Sequence, residues 1–102
     1  MTGPQQPAPG PGRFSVPPDH PSLPGHFPGR PVVPGVVLLD AVFALSGARP
    51  AKLLSTKFRA PVLPGEEVEV AFEARDGNRL FFACRCGGGV ILTGEFEKDA
   101  PA

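Results

Sequence analysis

The chain has 102 residues, 10 basic against 10 acidic side chains and a formal net charge of zero. That length makes one small domain with a modest core, of the kind often completed by oligomerisation. Neutral charge gives no case for a nucleic-acid partner, and the start lacks the charged and apolar stretches of a secretory or membrane-spanning segment. Residues 1–12 are rich in Pro, Gln and Gly without a charged side chain, and are expected to form a disordered tail. Residues 13–16 read as a short strand. Residues 17–34 form a loop with seven prolines, and a loop of that length without its own structure tends to be functional. A helix is expected from about 34 to 45, with Pro34 in its first turn and Gly47 as its stop. It is apolar almost all round, which predicts burial. Asp40 is the only charged residue between Arg30 and Arg49, and an acid inside such a helix is costly unless paired or protonated.

The remainder reads as strands. Residues 53–60 form one. Pro64-Gly65 turns the chain, and Val68, Val70, Phe72 and Ala74 then alternate with acids, as on a half-buried strand. Asp76-Gly77-Asn78 turns again into a strand over residues 79–86. Gly87-Gly88-Gly89 leads into a last strand, where Val90, Leu92 and Phe96 alternate with Thr93, Glu95 and Glu97. One apolar helix followed by an antiparallel meander is an α+β layout. The domain is placed at 13–98, with a tail at 99–102. Cys84 and Cys86 sit two apart on one strand, point to the same face and cannot easily bridge each other. That suits a reducing cytoplasm. Together with His20 and His26 they invite a zinc reading, but no paired Cys-x-x-Cys knuckle supports it and no metal is expected.

The densest signal is Gly25-His26-Phe27-Pro28-Gly29-Arg30-Pro31-Val32-Val33-Pro34-Gly35, followed by Asp40. Its prolines fix φ and remove backbone donors, so the approach to the helix is rigid. His26 is one of two histidines and precedes Asp40 by fourteen positions. This segment resembles the β-hydroxyacyl-(acyl carrier protein) dehydratases, the FabA/FabZ-like family with the hot-dog fold. Their pattern reads His-Phe-x-x-x-Pro-x-x-Pro-Gly, with the acid fourteen positions after the histidine. One branch carries glutamate there, and the isomerase-type branch carries aspartate, as here. Lys57-Phe58-Arg59-Ala60-Pro61-Val62-Leu63-Pro64-Gly65-Glu66 is similar to the family's strand and turn after the helix. Ala44 departs from the pattern, since the family usually has glutamine there, one turn after the acid.

The resemblance implies a hot-dog fold, with the sheet wrapped on the helix, and dehydration of a 3-hydroxyacyl thioester in fatty-acid, polyketide or polyene biosynthesis. His26 is the candidate base, because an imidazole titrates near neutrality. Asp40 is the candidate acid, its proton held by apolar surroundings. The Gly35 amide at the helix N-terminus is the candidate donor to the developing oxyanion. Phe27, Pro34 and Val36 are candidate substrate contacts. His20 lacks the spacing to Asp40 and is read as structural or solvated. The resemblance also implies a homodimer or higher even oligomer, or a heterodimer, with His26 and Asp40 of one site coming from different subunits. No cofactor is expected, the acyl group arriving on phosphopantetheine of an acyl carrier protein or on coenzyme A. Arg49, Lys52, Lys57 and Arg59 fall in an acid-free stretch. They form either a solvated face or a docking surface for an acidic carrier near the end of the helix. The alternative functions are a hot-dog acyl thioesterase, against which the His-Phe-Pro loop argues, and a non-catalytic subunit of a heterodimeric dehydratase, which Ala44 favours.

Overall fold

The computed structural model describes residues 9–19 and 32–99. Within them a single helix, α1 (Gly35–Ser46), packs on a five-stranded antiparallel sheet. The strands are β1 (Gly12–Phe14), β2 (Pro50–Phe58), β3 (Val68–Ala74), β4 (Arg79–Cys86) and β5 (Gly89–Lys98), in the order β1-β3-β4-β5-β2. The α+β layout is therefore as expected. β1 opens at Gly12, inside the stretch expected as tail.

The meander β3-β4-β5 forms where the apolar runs and the glycine turns between them predicted it. Inward-facing Val68, Val70, Leu80, Phe82, Cys84, Leu92 and Phe96 are all buried. They close on Leu38 and Val42 of α1, and Phe43 sets its ring edge-on to Phe96 at 5.0 Å between centroids. Gly87 and Gly88, both at positive φ, make the two-residue turn from β4 to β5, the twist-matched hairpin geometry that glycine permits. Past that turn the register slips between Cys84 and Arg85, so Ile91 is an extra residue in β5. Its carbonyl accepts the Arg59 and Ala60 amides at 2.8 and 3.4 Å, which anchors the exit of β2.

Three expectations are corrected. Pro34 is the N-cap (φ −59°, ψ 144°) rather than a helical residue, because an extended residue before the helix already offers its carbonyl to the first turn. β2 begins at Pro50 and ends at Phe58, earlier than residues 53–60. It lies at the sheet edge, where proline lacks no ladder partner, and there strand pairing with β5 rather than apolar pattern sets the bounds. Finally, α1 is not buried all round. Leu38, Val42 and Ser46 are buried, whereas Val36, Asp40 and Ala44 are exposed. These three recur every four residues, so they form one stripe along the helix. One sheet covers one side of a helix, and the described residues place nothing over the other.

Candidate active site

The helix N-terminus is held from two sides. The Val33 amide donates to the Val62 carbonyl at 2.9 Å, and Val33 and Val62 are both buried. The Pro34 carbonyl accepts the amides of Val37 and Leu38 at 3.0 and 3.3 Å. The helix ladder therefore has no use for the amides of Gly35 and Val36, which carry the positive end of the helix dipole. Gly35 opens on a groove of about 320 Å³ with Val33, Leu38, Phe58 and Arg59 in its walls. A Cβ on Gly35 would sit 2.8 Å from Cζ of Phe58, so only glycine fits there without displacing the ring.

Asp40 lies on the other flank of α1. It borders a second groove, of about 310 Å³, with Phe14, Val16, Pro17, Val37 and Ala41. The groove is largely apolar, but the acid itself is exposed. The burial expected for Asp40 is therefore not supplied by the described part of a single chain. Gly35 and Asp40 are five residues apart, hence about 140° apart around the helix and about 7.5 Å along it. They open on different grooves and do not converge. Pro34 is half-buried at the cap and Val36 is exposed beside it. His26 and Phe27 lie outside the described residues, as do His20 and Arg30.

The four cations do not gather at the end of the helix. They follow β2 from one end to the other, Arg49 just before it and Arg59 just after. At about 3.3 Å per residue that separates them by roughly 30 Å. Arg49 pairs with Asp99 at 4.0 Å, and Lys52 stands opposite Glu97 across the ladder. Lys57 faces Thr93 instead, and Arg59 lines the Gly35 groove. The positive charge without an acid opposite it thus lies towards the helix N-terminus. An antiparallel return strand imposes this, and linear charge spacing does not reveal it.

Neither cysteine is poised as a nucleophile. Burial pushes the Cys84 thiol up to about 12, and Cys86 is raised by burial and then by the carboxylate of Glu66. Raised thiols are weak nucleophiles and poor metal ligands. Among the described residues no cluster of His, Cys, Asp and Glu could hold a metal ion, and no helix is long and apolar enough to cross a membrane. Phe58 and the Phe14, Val16 and Pro17 wall have no periodicity or spacing that would mark them as site residues. They reach the grooves only through the sheet.

An antiparallel sheet packed on one helix whose first two turns carry Gly35 and Asp40 is the hot-dog architecture, and comparison with solved structures bears this out. A chain of the dehydratase heterocomplex ApeI:P from Xenorhabdus doucetiae superposes with a TM-score of 0.74 at 23% identity, covering 94% of this chain and 93% of that one. An uncharacterized protein from Erwinia carotovora subsp. atroseptica superposes at 0.71 and 27%, over 87% and 81%. A family model described as ApeI-like, ApeI dehydratase, matches residues 10–95. The chain belongs to that ApeI-like dehydratase family. It is also similar to the 3-hydroxyacyl-[acyl-carrier-protein] dehydratase FabZ of Agrobacterium fabrum, 32% identical over 80% of this chain and 63% of the relative. Against the FabZ of Rhizobium leguminosarum bv. trifolii the identity is 35% over 65% of this chain and 52% of the relative. The chain thus spans between about half and two thirds of the length of these curated relatives.

Proposed function

We propose that this chain is a dehydratase that removes water from a 3-hydroxyacyl thioester, in fatty-acid, polyketide or polyene biosynthesis. The observation that carries the reading is the solvent-open Asp40 on an apolar groove, one and a half turns into a helix whose first amides are left unused. Membership of the ApeI-like family supports it. In this reading His26 takes the proton α to the thioester carbonyl, and the electron pair moves onto the carbonyl oxygen, which the Gly35 amide stabilises. The pair returns to form the α,β double bond as the β-hydroxyl departs with a proton from Asp40. The products are an enoyl thioester and water. Proton transfers suffice, so no cofactor is assigned beyond the carrier's phosphopantetheine. Phe27, Pro34 and Val36 border the acyl path.

The site is completed by a second subunit. Gly35 and Asp40 face different grooves of one chain, so a partner whose Asp40 meets this chain's Gly35 and His26 gives the required set. β2 supplies the surface for that partner: all nine of its residues are exposed, including Leu53, Leu54 and Phe58. The carrier is an acyl carrier protein, for which Lys57 and Arg59 are the entrance charges. A reducing cytoplasm is the proposed setting, in keeping with two free cysteines.

A second reading is favoured by Ala44, which stands on the Asp40 stripe where the family usually has glutamine. There the chain is the non-catalytic half of a heterodimer. Incubation of the purified protein with a synthetic 3-hydroxyacyl thioester separates the readings. Enoyl product is expected. Free thiol instead marks a thioesterase, and no product marks a subunit that needs its partner.

A further inference from the structure

We propose that Phe58 determines specificity in this site: its ring limits the bulk a substrate can carry beside the carbonyl held at Gly35. The site therefore selects acyl thioesters unbranched at the α-carbon. This rests on the dehydratase reading and deepens it.

Phe58 is the last residue of β2 and pairs with Leu92, which is fully buried. It faces the core side of the sheet, yet it remains 50% exposed. At the helix start its Cζ and Cε1 stand 2.8 and 3.1 Å from the place of a Gly35 Cβ. An aromatic ring is thus pressed, tip first, against the glycine whose amide is free. A carbonyl oxygen on that amide would lie about 2.9 Å from the nitrogen. The α-carbon follows two bonds later and comes within reach of the ring. A ring that leaves no space for a methyl on Gly35 leaves little for a methyl on the substrate at the same wall. Phe58 touches no reacting atom, so it acts through shape.

The test uses two synthetic 3-hydroxyacyl thioesters that differ only by an α-methyl group. Wild-type protein is expected to prefer the unbranched one by about tenfold or more in kcat/KM, the usual discrimination for one carbon in an apolar pocket. Phe58→Ala is expected to bring the two within about threefold, chiefly by raising turnover of the branched one, and Phe58→Leu to fall between. Gly35→Ala should lose activity on both, and Gly35→Ala with Phe58→Ala should regain it on the unbranched substrate, which a merely structural ring would not allow. If wild type turns over neither thioester, the dehydratase reading fails. If it is active but Phe58→Ala leaves the preference unchanged, or lowers both rates equally, the specificity role is overturned and the ring is only an edge contact.

Discussion

Gly35 and Gly94 each leave room for a phenylalanine ring, and the two cases differ in what a methyl group would cost. A Cβ on Gly94 would fall 2.5 Å from Cζ of buried Phe82 and 2.6 Å from the Ser55 carbonyl. Neither can move freely, so Gly94→Ala is expected to destabilise the fold by about 1–3 kcal/mol, read as a lower urea midpoint. Phe58 is only half-buried, so Gly35→Ala should lower the midpoint less than Gly94→Ala does. Asp40 is exposed and unpaired among the described residues. Asp40→Asn should therefore keep the fold while dehydration falls about 10²–10⁴-fold, with His26→Ala behaving likewise in activity. His20→Ala is the control and should change little. Near wild-type turnover in both variants would remove the assigned chemistry. Cys84 gives a pH dependence. Its thiol is held up to about 12 in the fold against an ordinary 9.0, so the folded state keeps a proton that the unfolded chain releases. Its contribution to stability is complete below about pH 9 and is lost progressively as pH rises towards 12. Thermal unfolding from pH 8 to 11 should show that decline, and Cys84→Ala should flatten it.

At the scale of elements, β2 is the informative one. The return strand carries its cations along the sheet edge, so charge reversals at its two ends should differ. Reversing Lys57 and Arg59 to glutamate is expected to raise KM for a carrier-protein substrate while sparing a small uncharged thioester. Reversing Arg49 and Lys52, already near Asp99 and Glu97, should do much less. The carrier reaction should also weaken with salt, since exposed charges are screened within about 8–10 Å at 0.10–0.15 M. Equal loss on both substrates would point to damage to the fold, and no loss would return these residues to a solvated face.

At the scale of the molecule, a nine-residue edge strand with no second neighbour among the described residues, carrying Leu53, Leu54 and Phe58, is a template for another strand unless something covers it. Together with the exposed stripe on α1 it predicts a dimer or higher even oligomer. Light scattering at micromolar concentration should give at least twice the chain mass, and replacing Leu53 and Leu54 with lysine should shift it towards the monomer with loss of activity. A stable wild-type monomer would refute this.

The meander was legible in the chain, because period-two alternation in β3 and β5 admits one buried face and glycine turns bound the apolar run of β4. The sequence marked the helix by its apolar run with Pro34 before and Gly47 after, and it pointed to the family through the spacing from His26 to Asp40. The exposure of Asp40 was not legible there. A helix apolar on all sides reads as buried, and whether one sheet or two subunits cover it depends on what packs against it. The scatter of Arg49, Lys52, Lys57 and Arg59 was equally hidden, since neighbours along an extended strand drift apart at about 3.3 Å per residue. The meeting of Phe58 with Gly35 joins residues from the end of β2 and the start of α1. Folding alone brings them together, because β2 runs back along the helix and returns its last residue to the helix's first.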